Sequence, residues 1–374
     1  MTTPDPCPSS WCTIHLDRIA ANLALALGLV PEGRRFCAVL KADAYGHGIA
    51  QVVPIVREQG VTCIGITSNA EARAVRKAGF DGDLIRLRAA TPHEIEGALS
   101  DRVQEYVSSP AIARELHQHI KSGRLKTKPH LALNAGGMSR DGLEIATTAG
   151  RENCLAILDL LGERIGGISS HFPSNLPQDL CHSNNLFQKQ VDWVFDNSHL
   201  QRDAVCVHAG SSLTLISDTD IDTDMYRCGA ILYGILKPEL GFRPTLDLEA
   251  RVVSLQDYPE GSSIGYDRAA HLSGGRRLAC ISIGYENGFR RLVQEDCVVA
   301  IRNQPVPVLG KVSMNAIVAD VTEVAGVSLG DTVSIFGGAS GNPVTQQRVE
   351  QQFGTILADL YTDWGLRNPR FYRR

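Results

Sequence analysis

The sequence predicts a (β/α)8 barrel followed by a mostly antiparallel β domain, and three observations carry that prediction. Through the first two-thirds of the chain, short apolar or β-branched segments alternate with amphipathic helical ones across short loops. Near Thr245 the helical period stops, and alternating strands separated by Gly and Pro turns take over. The 374 residues also exceed the ~250 that such a barrel takes by itself. Residues 1–244 are therefore assigned to the barrel and 245–374 to the β domain, with the first few residues available to pair with the β domain.

Each element follows from local signals. Cys12–Leu16 reads as a strand, and Asp17 caps a helix through about Leu29. Phe36–Leu40 is apolar and ends at Lys41, before a helix from about Ile49 to Gln59. Val61–Thr67 is strand-like, and Ser68 with Glu71 forms a capping box that opens a helix ending near Gly79. Leu84–Leu87 is a strand, and Thr91-Pro92 with Glu94 starts the next helix. Val103–Val107 precedes a helix over Pro110–Ser122, and His130–Leu133 precedes a helical region reaching Leu161. Ile165–Ser170 precedes a helix over Asn185–Phe195, Ala204–Val207 precedes a short helical turn, and Tyr226–Tyr233 makes the last of about eight units. Beyond Thr245, strands are predicted over Leu246–Leu255, Arg277–Ile283, Cys297–Ile301, Ala316–Val321 and Thr332–Phe336, with a closing helix near Val349–Leu360.

Composition narrows the function. Hydrophobic and charged fractions of 43% and 21% are those of a soluble globular enzyme. A net charge of -4 offers no basis for binding nucleic acid or an anionic membrane. No apolar run approaches the ~20 residues that cross a bilayer. The polar, proline-bearing start lacks the layout of a secretory signal, and the ten cysteines are scattered without metal-ligand spacing. A cytoplasmic protein with reduced thiols and no metal site is the expectation.

Lys41 is the first residue to carry chemistry. A lysine closing a buried strand must reach water, find a counter-charge, or form an imine with a carbonyl cofactor. Desolvation lowers an amine's pKa and exposes its nucleophilic form. The string Leu40-Lys41-Ala42-Asp43-Ala44-Tyr45-Gly46-His47-Gly48 closely resembles the pyridoxal-phosphate lysine motif of the alanine racemase family. The resemblance implies that Lys41 holds pyridoxal 5'-phosphate covalently and that Tyr45 bonds its phosphate.

Further segments extend the resemblance from Trp11 to Pro369. Ile168-Ser169-Ser170-His171-Phe172 implies His171 beside the cofactor ring. In His208-Ala209-Gly210-Ser211-Ser212, Ser212 matches a phosphate ligand, while Ser211 stands where the family usually has asparagine. Arg227-Cys228-Gly229-Ala230 matches the segment whose arginine meets the pyridine nitrogen and whose next amides, at Gly229 and Ala230, bind phosphate. Arginine does not give up its proton, so the ring nitrogen stays unprotonated, which favours racemisation over transamination. Racemisation needs a base on each face of a planar carbon. Ser263-Ile264-Gly265-Tyr266-Asp267 resembles the segment carrying the second base, so Lys41 and Tyr266 are the implied catalytic pair. In the family that tyrosine comes from the partner subunit, which implies a homodimer with shared sites. Tyr285, in Ser282-Ile283-Gly284-Tyr285, and Met314, in Lys311-Val312-Ser313-Met314-Asn315, match substrate-entrance positions. Tyr361, in Leu357-Ala358-Asp359-Leu360-Tyr361, is matched to a tyrosine that touches phosphate and narrows the entrance.

The segment His130-Leu131-Ala132-Leu133-Asn134-Ala135-Gly136-Gly137-Met138-Ser139-Arg140-Asp141-Gly142 distinguishes a subfamily. Many alanine racemases carry a carbamylated lysine at the Ala132 position, holding the arginine that matches Arg140, and aspartate at the Asn134 position. Ala132 cannot be carbamylated and Asn134 is neutral, so a small anion beside Arg140 is expected in their place. This pattern, with Thr67-Ser68-Asn69 and Gly265-Tyr266-Asp267-Arg268, resembles the broad-specificity amino-acid racemases. The implied substrate is an amino acid, with Arg140 aiding carboxylate binding. The alternatives are a strict alanine racemase, a lyase, decarboxylase or aldolase on the same cofactor fold, and a cofactor-carrying protein without catalysis.

Overall fold

The computed structural model describes residues 7–293, 296–338 and 341–374. The chain divides into two compact units, Ala20–Ala44 with Ile49–Phe242, and Met1–Ile19 with Tyr45–Gly48 and Arg243–Arg374. Strand β1 (Ser10–His15) belongs to the second, the β unit. The barrel unit contains β2 (Arg35–Val39), β3 (Cys63–Ile66), β4 (Asp83–Ala89), β5 (Val103–Val107), β6 (His130–Ala132), β7 (Gly167–Ser169), β8 (Cys206–His208), the two-residue β9 (Gly210–Ser211) and β10 (Met225–Cys228).

These strands pair in parallel from β2 to β8, and β10 pairs with both β2 and β9. The ring closes where the Asp224 N–H donates to the Val207 carbonyl at 2.7 Å. Thr223 Oγ1 accepts the Ala209 and Gly210 N–H groups at 3.1 and 3.2 Å beside that seam. One interior layer takes Cys37, Cys63, Ile85, Tyr106, Ala132 and Met225, each from a different strand. A barrel this size is filled by side chains, and its functional groups gather where the strands end.

Helices between the strands start at their signalled caps. Ser68 with Glu71 and Thr91 with Glu94 form capping boxes, and Ser109 caps the helix Pro110–Lys121. The first helix begins at Leu16, so Asp17 sits inside its first turn rather than capping it, where its charge still complements the helix dipole. The helix predicted over Asn185–Phe195 runs from Pro177 to Asp196, because Pro177 supplies a ready-made first turn. No helix among the described residues is long and apolar enough to cross a membrane.

The β unit adds β11 (Leu246–Tyr258), β12 (Ser263–Ile264), β13 (Ala270–His271), β14 (Arg276–Ile281), β15 (Val298–Ile301), β16 (Gln304–Leu309), β17 (Ile317–Asp320), β18 (Thr332–Phe336) and β19 (Arg370–Arg373). Its main sheet has the order β14-β17-β16-β15-β18-β11-β1-β19, antiparallel except for β1 against β19. Sequence reasoning missed the short β12, β13 and β19 and also β16, where Pro305 and Pro307 argue against a strand. Both prolines are exposed and precede the pairing with β17, which starts at Val308, so they cost little in ladder bonds. Arg302 and Asn303, at φ +53° and +60°, make the two-residue turn between β15 and β16. The predicted closing helix is two helices, Gln346–Phe353 and Leu357–Arg367, divided by Gly354 in the left-handed conformation.

Candidate active site

In the barrel unit the site starts where β2 ends. The Leu40 N–H still donates to the Gly65 carbonyl at 2.8 Å, and Lys41 follows at the C-terminal mouth of the barrel. The chain then turns through Ala42, Asp43, Ala44 and Tyr45, all with φ between +51° and +58°. None is glycine, and L-residues disfavour this conformation by roughly 1–2 kcal/mol each. External bonds hold the turn. Glu71 Oε1 accepts the Ala42 N–H at 2.8 Å, the Leu40 carbonyl accepts the Ala44 N–H at 2.9 Å, and Asp43 Oδ1 accepts the Ile49 N–H at 2.8 Å.

Tyr45–Gly48 belongs to the β unit. There His47 Nδ1 donates to the Tyr45 carbonyl at 2.9 Å, and its Nε2 accepts from Thr245 Oγ1 at 2.8 Å. Gly46 has φ +82°, and a Cβ on it would collide with the Tyr361 carbonyl.

Around Lys41 the barrel mouth concentrates positive charge. Crowding by protein lowers the Lys41 pKa, and the Arg140 guanidinium lowers it further, while Glu71 opposes both. His171, just past β7, is pushed down to about 4 by desolvation first and then by Arg227, Arg140 and Lys41. The imidazole is thus neutral at pH 7 among three cationic side chains. Arg227, in β10, is 8% exposed. Its Nη1 donates to His208 Nδ1 at 2.6 Å and to the His208 carbonyl at 2.9 Å, and its Nη2 donates to the Ser170 carbonyl at 2.8 Å.

Beside β10, the buried Ser212 opens the short helix Ser212–Leu215, and its Oγ accepts the Gly229 N–H at 3.0 Å. Ala230 begins the single-turn helix Ala230–Tyr233. The barrel unit therefore brings together an amine of lowered pKa, fixed positive charge, a neutral imidazole and a corner of hydroxyl and amide groups. That donor set fits a small, anionic, aldehyde-bearing ring such as pyridoxal phosphate.

Arg227 is also one end of a hydrogen-bonded line through the barrel interior. Because His208 Nδ1 accepts from Arg227, its Nε2 carries the proton and donates to His130 Nδ1 at 2.8 Å. His130 Nε2 then donates to Gln104 Oε1 at 2.9 Å, and Gln104 Nε2 donates to Asp83 Oδ1 at 2.9 Å. Burial holds both histidines neutral, His130 at about 4 and His208 well below the ordinary range. A Cβ on Gly167 would strike the His130 ring, so β7 carries glycine where that ring lies.

In the β unit, Tyr266 is 58% and Met314 53% exposed. Arg291 lies 5.8 Å from the Tyr266 ring and 5.6 Å from the Tyr285 ring, a cation shared by two aromatics. Lys311 pairs with Asp267 at 2.6 Å beside Tyr266. The Tyr285 and Glu286 N–H groups donate to the Ser313 and Met314 carbonyls at 3.1 and 2.9 Å, fixing the Tyr285 and Met314 segments to each other. The structure thus gathers Tyr266, Tyr285 and Met314 on one exposed patch.

Two of the candidate residues also have neighbours that the sequence does not show. Tyr361 is fully buried, with its ring 5.2 Å from His47 and 5.9 Å from Phe336. Burial also raises its pKa well above the usual tyrosine range. It is a core aromatic that supports the Tyr45–Gly48 segment, because its ring fills the space between these neighbours. Arg140 is not left without a counter-charge either, since Asp141 Oδ1 lies 3.4 Å from its Nε. Asn134 accepts the Ser139 N–H at 2.9 Å and donates to Glu144 at 2.7 Å, so it orders the Arg140 loop.

Sequence reasoning gave Glu71 only a cap and gave His130 and His208 no role. The available signals were a helix cap directly after β3 and two histidines at strand positions, and strand register supplies the distant partners of all three.

The chain resembles known proteins along the same division. Residues 14–237 match the family model of the alanine racemase N-terminal domain, and residues 245–372 that of the alanine racemase C-terminal domain. The chain is 38% identical over 368 residues to a broad specificity amino-acid racemase of Aeromonas hydrophila subsp. hydrophila, covering 98% of this chain and 90% of that one. It is 34% identical to a lysine racemase of Proteus mirabilis, covering 97% and 89%. Among solved structures, alanine racemase from a D-cycloserine producing Streptomyces lavendulae superposes with a TM-score of 0.90 at 22% identity, covering 99% and 98%. Alanine racemase from Bartonella henselae, with covalently bound pyridoxal phosphate, gives 0.85 at 22%, covering 98% and 100%. At that identity the likeness is one of fold.

Proposed function

The chain belongs to the alanine racemase family, and from that premise we propose that it is a pyridoxal-phosphate-dependent racemase of broad amino-acid scope, acting as a homodimer. The observation that carries the proposal is the cluster of Lys41, Arg140, His171 and Arg227 at the barrel mouth, where cationic charge and a weakened lysine meet. Lys41 would hold the cofactor through its amine. Tyr45, Ser212 and the Gly229 and Ala230 amides would take its phosphate. His171 would lie against the ring, and Arg227 would face its nitrogen. When bound, pyridoxal phosphate supplies an electron-poor ring that draws charge from the substrate α-carbon.

The protein's own groups do the rest. Lys41 Nζ, below the usual lysine range, exchanges a proton with one face of the α-carbon, and Tyr266 Oη serves the other. Tyr266 would be supplied by a second copy of the chain, so that each site is completed by association. Arg140 and the Met314 amide would receive the substrate carboxylate, with Tyr285 at the entrance. Arg227, which does not release its proton, would leave the ring nitrogen of bound pyridoxal phosphate unprotonated and so limit side reactions. A small anion beside Arg140 would share that guanidinium with Asp141. Ten cysteines, most of them buried, suit a reducing compartment such as the cytoplasm.

Broad scope is favoured by Ala132, which lies in the apolar barrel layer and offers no amine to fix Arg140. The names of the similar proteins, broad specificity amino-acid racemase and lysine racemase, support the same reading. Discrimination by one methylene amounts to only ~1–3 kcal/mol, so tolerance of several side chains is physically easy. The test is α-proton exchange in D₂O with chiral analysis over a panel of L-amino acids. Inversion of alanine, lysine, arginine and methionine is expected. Inversion of alanine alone would establish the strict enzyme, and no inversion would reject racemisation.

A further inference from the structure

We propose that Glu71 is a positioning residue for Lys41, whose carboxylate holds the left-handed turn after the lysine and so fixes where the amine stands. Its meaning for catalysis rests on the racemase reading, whereas the geometry does not. Glu71 is first an ordinary helix residue in Asn69–Lys77. Ser68 Oγ accepts its N–H at 3.3 Å, and its own Oε2 accepts the Ser68 N–H at 3.1 Å. A capping box needs no more than that.

The carboxylate does more here. Oε2 also accepts the Thr67 N–H at 2.7 Å, and Oε1 reaches the chain after β2 to accept the Ala42 N–H at 2.8 Å. Ala42 opens the run of four non-glycine residues with positive φ. Such a run is uphill by several kcal/mol and persists only when its surroundings fix it. Charge-assisted bonds from a carboxylate are among the stronger means of doing so.

The support behind Glu71 is itself rigid. Arg86 is fully buried, donating from Nη2 to Asn69 Oδ1 at 2.7 Å and from Nη1 to the Thr67 carbonyl at 3.4 Å. Its Nε and Nη2 bind both carboxylate oxygens of Glu105 at 2.7 and 3.0 Å. The loop carrying Glu71 is therefore pinned to β4 and β5, and its position passes through one carboxylate to the residue after Lys41. The negative charge of Glu71 also counters the desolvation and the Arg140 charge acting on the lysine.

The experiment compares Glu71→Gln with Ser68→Ala, which breaks the same helix cap without touching Ala42. In cofactor-free protein, the labelling of Lys41 by acetic anhydride is followed against pH by peptide mass spectrometry. Glu71→Gln should lower the labelling midpoint, raise the neutral-pH rate about twofold or more, and speed loss of pyridoxal phosphate from loaded protein on dialysis. Ser68→Ala should leave the midpoint and retention unchanged while lowering the melting temperature. If Glu71→Gln does not fold, Glu71→Asp takes its place, and faster cofactor loss than in Ser68→Ala is required. An unmoved midpoint in Glu71→Gln, or an equal shift in both variants, would overturn the proposal. A shifted midpoint in a protein that racemises nothing would sink the racemase reading and leave the positioning role standing.

Discussion

The barrel mouth and the exposed patch of the β unit hold their polar side chains in opposite ways. At the mouth, Arg227 is buried with three hydrogen bonds, and the turn after Lys41 is tied to Glu71. On the patch, more than half of Tyr266 and of Met314 is exposed, and the Tyr266 ring shares the Arg291 cation with Tyr285. The barrel half is held by buried hydrogen bonds from its own chain. The β half presents an aromatic and cationic face of the kind that association covers. Precision is thus built where cofactor chemistry is expected, and adaptability where a second copy is expected.

The largest test of that contrast is Lys41→Ala. It should remove covalent cofactor attachment and reduce racemisation to background, read by absorbance and chiral analysis, while thermal unfolding changes little. Next comes Tyr266→Phe. Cofactor absorbance should persist while L-to-D turnover falls by about 10²–10⁴-fold, the usual contribution of a positioned proton-transfer group. An unchanged L-side rate would remove Tyr266 from the pair of bases.

Acid should break the barrel before the β unit. His130 and His171 have folded pKa values of about 4, below the ordinary 6.5 that the unfolded chain shows. Between those values the unfolded chain binds more protons, so this stability is complete above pH 6.5 and is lost as pH falls toward 4. The buried His130 alone accounts for about 3 kcal/mol on that scale. Hydrogen exchange at pH 5 should show barrel amides losing protection first, and uniform loss across both units would contradict the contrast. The smallest effect belongs to Arg291→Met. It deletes cation–π contacts to Tyr266 and Tyr285 of ~0.5–1 kcal/mol each, and turnover should fall by no more than about thirtyfold.

Much of this was legible in the sequence for a physical reason. Strand–helix alternation, capping boxes and the lysine motif are local signals, and β5 and β18 lie where the apolar pattern puts them. What stayed hidden depends on neighbours distant in the chain. Pro305 and Pro307 disguise β16, since only the pairing with β17 shows which of its positions need a donor. Glu71 resembles a cap until the register of β2 beside β3 brings Ala42 within reach. Tyr361 shows the same dependence, since its motif position says nothing of the ring contact with His47, which is far away in the sequence.

The line of donors from Arg227 to Asp83 has a consequence for the stability of a buried cation. Every N–H in it points the same way, so the two imidazoles and the Gln104 amide form a file of aligned dipoles. Their electron-rich ends face Arg227, and their positive ends face a carboxylate that Arg35 engages from its other side. The guanidinium thus faces the electron-rich end of a dipole file that runs across the barrel to Asp83.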